Sequence, residues 1–501
     1  MSSIRRQSIV SSVVIYLGFA LGALNIYFFT KEGYFTESEY GLTTLFVSVA
    51  ISIQAYASLA MPTYIFKFHP YYEHNLPGKQ NDMPAIALVV GIAGFLVIMA
   101  AGWIFKDLVT RKYSENAPDF VKYYFWVFPL GFGLTMFTIL ESWGWSIHKP
   151  ILTSFLKEIV WRFVITVLIA LFIWGVISDF GLFIKLYGLT YLIVAIILFA
   201  YLYGTGRLPL TLKISKVTRR YFKKILSLCL FVYGSQVVFV TSTVFDTLVI
   251  ASVLPGGIEK TGVFTLAQFL TSVIQVPQRA VIASSVSHLS RAWREKNLEK
   301  IRRIYKRSSI NMLLFSLCIF FLIVLNYREA VITFGLKEIF LSGFSAFVFL
   351  GLTRIVELGC GVSAQVIGTS THWRFELTSG VILLVIMLPL TYFLAKKYDI
   401  MGPPIANLIS FGIYNAIRIT FLWRKFRLQP FSISSIYAIL TAVLCFVVCY
   451  YLFRNMHGYA GLFLRSIVYL VLFGGLTVFF RLSPDVEPVW NTALKRLGLR
   501  K

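Results

Sequence analysis

Fourteen apolar runs, each of bilayer-spanning length, follow one another with only short polar breaks between them. They lie near 8–30, 41–66, 84–105, 119–143, 151–177, 180–203, 225–254, 261–287, 308–327, 339–366, 374–395, 400–423, 433–453 and 459–480. About 20 apolar residues of helix cross a hydrocarbon core. Backbone polar groups have no water to bond to there, so each run must satisfy its own N–H and C=O groups as a helix. Of the 501 residues, 57% are hydrophobic and only 14% are charged, against about 25% charged in soluble domains. The expected fold class is therefore an all-α polytopic membrane protein of about 14 transmembrane helices. The run at 8–30 is too long for a secretory signal and is followed at once by more spans, so it reads as a retained first helix. Prolines 62, 129, 277, 389, 403 and 404 fall in or beside spans and are expected to bend or interrupt several of them.

The breaks exclude several function classes. The longest, near 204–224, is about 20 residues by the span boundaries, too short for a water-facing catalytic lobe. There is no G-x-x-x-x-G-K-[ST] phosphate loop, so ATP is not the expected energy source. Cys229, Cys318, Cys360, Cys445 and Cys449 all lie in apolar runs, and the six histidines show no ligand spacing, so no metal or cofactor is expected. The net charge of +25 would suggest nucleic acid in a soluble protein. Here it is the excess of Lys and Arg that membrane proteins keep in cytoplasmic breaks, and no nucleic-acid partner is expected. With the N-terminus inside, the larger share of the 47 basic residues falls on the inner side, so both termini are expected in the cytoplasm. Two basic stretches, "LKISKVTRRYFKKIL" (212–226) and "HLSRAWREKNLEKIRRIYKR" (288–307), read as inner loops with some helix, or as surface helices that touch anionic lipid.

The chain also echoes itself. Gly41-Leu42-Thr43-Thr44-Leu45 opens the second span, and Gly262-Val263-Phe264-Thr265-Leu266 opens the eighth. "LTS" recurs at 152–154 and 377–379, near the starts of spans five and eleven. A repeat six spans long preserves orientation, which implies two six-helix halves related by a pseudo-twofold axis along the membrane normal. The corresponding organisation is an N-terminal bundle (1–206), a basic cytoplasmic linker (207–224), a C-terminal bundle (225–427), and a terminal helix pair with a cytoplasmic tail (428–501). A substrate path is expected between the halves.

Charges inside the spans mark that path. A lone charge at a bilayer centre costs about 2.5–3.5 kcal/mol on insertion scales, so such residues face protein or water. Span five carries Lys157, Glu158 and Arg162 in "LKEIVWRF", and span ten carries Arg354 and Glu357 in "GLTRIVELGCG". Glu158 and Arg162 are i,i+4 neighbours, and Arg354 and Glu357 are i,i+3 neighbours. Structural ion pairs and a polar cavity both account for these. Arg279 lies beside Gln275 and Pro277 in span eight and has no carboxylate close by on its own helix, which makes it the leading anion-ligand candidate. Asp246 in span seven is read as a helix–helix clamp or as a site for H⁺ or Na⁺. Glu141, Lys157 and Arg418 lie near span ends, within reach of the inner surface. The deep charges lean cationic, and a guanidinium fork suits phosphate because it binds two oxygens at once.

The span count, "YFTESEYGL" entering span two, "TGVFTLAQ" entering span eight, "FDTLVIAS" in span seven and "GPPIANLISFGIYN" (402–415) together resemble the polysaccharide/O-antigen (Wzx-type) flippase branch of the multidrug/oligosaccharidyl-lipid/polysaccharide exporter superfamily. The resemblance implies a MATE-like two-bundle fold working by alternating access. It implies export of polyprenyl-diphosphate-linked oligosaccharide across the bacterial inner membrane for capsule, O-antigen or exopolysaccharide assembly. The partners it implies are the lipid-linked glycan, membrane lipids, a polysaccharide polymerase and glycosyltransferases. Its cationic cavity role carries over to Arg279, Arg354 and Arg162 as candidates, with Glu357, Glu158, Lys157 and Gln275 around them. A transporter rather than an enzyme is expected. The alternatives within the superfamily are a lipid II flippase and a cation-coupled multidrug exporter.

Overall fold

The computed structural model describes residues 3–77, 80–372 and 374–486, with the side chains of 3–13, 277, 279, 280, 283, 284 and 287 outside the description. The described residues form helices and no strands. The chain divides between Gly262 and Val263 into two compact units.

The first unit holds α1 (Ser3–Thr30), α2 (Glu37–Ala57), α3 (Met61–Asn75), α4 (Met83–Ile104), α5 (Lys106–Tyr113), α6 (Pro118–Lys122), α7 (Val127–Ser146), α8 (Pro150–Phe155), α9 (Trp161–Ile173), α10 (Phe180–Gly204) and α11 (Lys216–Val253). The division falls inside α12 (Gly257–Ile274). The second unit continues with α13 (Val276–Arg294), α14 (Leu298–Thr333), α15 (Gly343–Gly359), α16 (Ser363–Gly368), α17 (Arg374–Tyr398), α18 (Gly402–Phe426), α19 (Ile433–Leu452) and α20 (Gly458–Phe479). Every one of the fourteen expected spans coincides with one of these helices or with a broken pair.

Ten helical segments among the described residues are individually long and apolar enough to cross a bilayer, and one of them, Arg374–Phe426, joins the two expected spans α17 and α18. The shortfall from fourteen has local causes. The apolar described part of α1 is the shorter stretch Val14–Thr30. The fifth span runs from Pro150 to Ile173 through a π-helical turn at Leu156–Val160, but carries the charges Lys157, Glu158 and Arg162 within it. The eighth is split at Gln275 into α12 and α13. Proline placement explains part of this. Pro62, Pro277 and Pro403 each stand in the first turn of a helix, where a missing N–H costs nothing, and only Pro389 of the six expected breakers lies in a helix interior. Ahead of Pro62, Leu59 and Ala60 take left-handed backbone (φ 45° and 59°), which ends α2 and restarts the chain as α3.

Sequence signals set the other helix ends. In "TESE", Thr36 Oγ1 accepts from Glu39 N–H at 3.1 Å and Glu39 Oε2 accepts from Thr36 N–H at 2.7 Å. This capping box starts α2. Ser215 caps α11 and Asn297 caps α14 by a single bond each, their side-chain oxygens accepting from the N–H of Thr218 and of Lys300. These last two caps correct the reading of the basic stretches. Residues 216–226 are not a separate surface helix; they are the first turns of the 38-residue α11. Residues 288–307 close α13, turn at Lys296 (φ 53°) and open the 36-residue α14. At that turn Arg291 and Lys300 hydrogen-bond Glu295 and hold its carboxyl below the ordinary carboxylate range.

In the first unit α7 packs on α2, α3, α4 and α10, and α11 packs on α2 and α3. In the second, α14 is the spine. Ile310, Leu313, Leu314, Leu317 and Leu325 meet Ala438, Ala442, Cys445 and Cys449 of α19 and Tyr469 and Phe473 of α20. The terminal helix pair is thereby bound to α14, and its two cysteines serve as small apolar packing groups.

The internal echo has a structural counterpart. A Cβ on Gly41 would overlap the carbonyl oxygen of Ile258 and lie 3.2 Å from the N of Gly262. A Cβ on Gly262 would lie 2.8 Å from the carbonyl oxygen of Glu37 and 3.3 Å from the N of Gly41. Each glycine thus faces the residue four before its own counterpart. Only glycine lets the starts of α2 and α12 approach so closely.

Candidate functional site

The deep charges form two clusters, one in each unit. In the first, Glu158 lies in the π-helical turn and Arg162 in the first turn of α9. The Arg162 Nη1 is 2.8 Å from Glu158 Oε2. A π turn widens the helix by one residue, and such turns recur at functional sites. The peptide at Arg162 is also held, because its carbonyl accepts from Asn25 Nδ2 of α1 at 3.0 Å and from Thr166 Oγ1 at 2.8 Å. Thr166 Oγ1 also lies 2.7 Å from Asn25 Oδ1, so its one proton is shared between that oxygen and the Arg162 carbonyl. Gly18 and Gly22 of α1 lie flat against the pair. A Cβ on Gly18 would come within 2.6 Å of the Glu158 carbonyl oxygen and 2.8 Å of Arg162 Nη1. Trp161 donates to Thr190 Oγ1 at 3.2 Å and stacks on Tyr191 of α10 at 4.5 Å. Lys157 turns the other way and reaches Glu141 Oε2 of α7 at 3.1 Å.

In the second unit, Arg354 Nη1 lies 2.6 Å from Glu357 Oε2 on α15. The break between α12 and α13 brings two amides to this pair. With its amide oxygen turned to Arg354, Gln275 accepts from Nη1 and Nε at 3.0 and 3.1 Å. Gln278 Nε2 donates to Glu357 Oε1 at 3.5 Å. The guanidinium also lies over the ring of Phe411 at 5.8 Å. A second pair lies across α17 and α18, where Arg418 Nη2 donates to both oxygens of Glu376 at 2.9 and 2.8 Å. Tyr414 donates to Glu376 at 3.4 Å, and Arg418 lies over its ring at 4.6 Å.

The structure therefore brings together Glu158 and Arg162 in one unit, with Lys157 turned away to Glu141, and Gln275, Arg354 and Glu357 in the other. Asp246 is buried on α11, near the turns where Val240 and Val244 pack on Ala55, and belongs to neither cluster. Arg279 lies in α13, and its side chain is outside the described residues. The expected reach of Lys157 and Arg418 toward the surface gives way to ion pairing with Glu141 and Glu376, and Arg418 keeps only 6% of its side-chain surface exposed. The cationic lean of the deep charges is correspondingly reduced. Among the described residues Arg162, Arg354, Arg418 and Lys157 each face one carboxylate. Arg465, which no spacing singles out, is buried in α20 and instead donates to the carbonyls of Leu325, Phe453 and Met456. Sequence reasoning also missed Asn25, Glu376, Gln278 and Tyr414. Asn25, Glu376 and Gln278 are recruited across helices, so no periodicity points to them, whereas Tyr414 stands i,i+4 from Arg418 on α18.

What these clusters can do chemically differs from what a cavity alone could. A cavity of about 810 Å³ lies between α12, α14 and α20, but its lining is almost wholly apolar and includes none of the charged residues above. Arg354 has five N–H donors to place, and its Nη2 carries no protein hydrogen bond among the described residues. A partly exposed guanidinium with an idle edge can take an anion without first losing its carboxylate partner.

The likenesses to known proteins are structural. The solved lipid II flippase MurJ in an inward closed conformation matches with a TM-score of 0.71 at 16% identity, over 94% of this chain and 99% of that one. An inward-facing multidrug resistance MATE family transporter of the MOP superfamily matches with a TM-score of 0.63 at 16% identity, over 84% of this chain and 97% of that one. An outward-facing MATE transporter of the same superfamily matches at 0.56 and 15% identity, over 84% and 95%. No protein-family model and no curated protein matches the sequence. The chain thus has the fold shared by MurJ and the MATE transporters, and is a multi-pass membrane protein.

Proposed function

We propose that this protein is a transporter of the MOP superfamily. It moves polyprenyl-diphosphate-linked oligosaccharide across the bacterial inner membrane by alternating access, with both termini cytoplasmic, and serves surface polysaccharide assembly. The observation that carries the reading is Arg354. It is a guanidinium inside a spanning helix, held by Glu357 and Gln275 on one edge and idle on the other, in a chain whose fold matches a lipid II flippase along nearly its whole length. A diphosphate presents paired oxygens that a guanidinium fork binds two at a time. Arg279 is proposed as a second cation of the same site. Asp246 is proposed as the place where H⁺ or Na⁺ would couple. Glycosyltransferases and a polymerase are the proposed upstream and downstream partners. Nothing covalent happens to the substrate.

The test is Arg354→Ala in a strain that depends on this chain for surface glycan. Lost glycan with accumulated lipid-linked precursor, at unchanged protein level, supports the reading; unchanged export removes Arg354 from the mechanism. The extent of the match to MurJ also favours a second reading, lipid II as the substrate. Depletion separates the two, because loss of lipid II export lyses cells, whereas loss of a surface-polymer flippase strips only that polymer. The matches to multidrug MATE transporters and the one-to-one pairing of deep charges favour a third reading, a cation-coupled drug exporter, which resistance assays on an overexpressing strain address.

A further inference from the structure

Where α18 ends, one face of it changes character over two turns. Ile417, Thr420, Phe421, Arg424 and Lys425 share that face and, with Phe375 from the first turn of α17, line a groove of about 350 Å³. From Ile417 to Lys425 the helix rises roughly 12 Å at 1.5 Å per residue. At the inner end the groove is apolar, and Phe375 stacks on Phe421 at 4.0 Å. At the outer end it is cationic, and among the described residues neither Arg424 nor Lys425 has a carboxylate partner. The acid beside the groove, Glu376, is already matched by Arg418. Trp423, about half exposed, lies at the level of the two cations, and the Arg427 guanidinium lies 5.6 Å over its ring. Tryptophan and arginine at the end of a spanning helix mark the headgroup level of a bilayer.

We infer that this groove is a binding site for an anionic phospholipid of the surrounding bilayer. Its phosphate would sit on Arg424, Lys425 and the Thr420 hydroxyl, and its first acyl methylenes would lie along Phe421, Ile417 and Phe375. The gradient from apolar to cationic is the one a phospholipid presents in reverse, and the cations supply the preference for net negative headgroups. A soluble anion would use the cationic end alone and leave the aromatic end unoccupied. The site is independent of the transported substrate and of the Arg354 cluster.

The experiment uses the full chain purified in detergent, supplied with phosphatidylglycerol, phosphatidylcholine or inorganic phosphate. It reads retained lipid by native mass spectrometry and thermal stability in parallel. The expected result is retention of phosphatidylglycerol several-fold above phosphatidylcholine, with a rise in melting temperature that inorganic phosphate does not reproduce. The double variant Arg424→Gln/Lys425→Gln should lose that preference. Lys396→Gln/Lys397→Gln, at the other end of α17, should keep it. Equal retention of the two lipids, an unaffected Arg424/Lys425 variant, or full reproduction of the effect by inorganic phosphate would each overturn the proposal. Ile417→Asp gives a second check, since it should weaken retention of phosphatidylglycerol while leaving both cations in place.

Discussion

The two deep ion pairs look alike in sequence and differ in what surrounds them. Glu158 and Arg162 are closed in by α1, with Gly18 and Gly22 against their atoms and Asn25 bonded to the Arg162 peptide. The Arg162 Nη1 is buried and has little but Glu158 to satisfy it. Arg354 and Glu357 meet no such wall. Their neighbours are Gln275 and Gln278, amides that can turn either end toward a guanidinium or a carboxylate, placed there by the break between α12 and α13. Side-chain exposure is similar, 24% and 18% against 28% and 25%, so exposure does not separate them. The difference lies in the partners. On the proposed function the first pair serves as a joint between helices and the second as the polar site.

The sharpest way to break the comparison is at the joint. Gly18→Leu pushes a side chain into the Glu158 backbone and the Arg162 guanidinium. It should cost about 3 kcal/mol, the upper end for overpacking, seen as a lowered melting temperature in detergent. Gly474→Ala, with nothing near its Cβ position, should cost none. A smaller effect comes from removing one charge of each pair. Glu158→Gln leaves a walled cation with a poorer partner and should cost about 1–3 kcal/mol. Glu357→Gln should cost less than half of that, because Gln275 already accepts from Arg354 and Gln278 can re-pair. Equal losses would remove the distinction between joint and site. The smallest stability change belongs to Arg354→Lys, expected to be near zero. The same variant keeps the charge and loses the two-pronged donor, so transport should fall about tenfold, one such bond being worth about 1.4 kcal/mol. Unchanged transport would show that the fork is not used.

Much of this was legible in the sequence because lipid leaves a chain few options. The positions of all fourteen segments follow from run length and hydropathy alone, and both same-helix pairs follow from i,i+3 and i,i+4 spacing. The capping box at Thr36 and Glu39 lies in "YFTESEYGL", quoted above for its resemblance, so a physical role in helix initiation accounts for part of that motif. The echo at Gly41 and Gly262 marks where two backbones touch. The pairs Lys157–Glu141 and Arg418–Glu376 were not legible, because their partners lie 16 and 42 residues apart on different helices. The role of Gly18 and Gly22 was hidden for the same reason, since a glycine in an apolar run shows nothing of what it packs against. Lys157 and Arg418, cations that the sequence places near span ends, each face a carboxylate on another helix. Glu376 opens span eleven and neutralises Arg418, a pairing that no spacing along either helix announces.

The central claim is that Arg354 holds a lipid diphosphate while Arg162 holds the fold. Binding of a polyprenyl diphosphate to purified Arg354→Ala and Arg162→Ala, measured on the folded fraction of each, tests it most directly. Affinity should fall at least tenfold in the Arg354 variant and stay within about twofold in the Arg162 variant, which should instead melt earlier; a charge-assisted bond worth about 1.5–3 kcal/mol sets that scale. Undiminished binding by Arg354→Ala, or an equal loss in both variants, would contradict it.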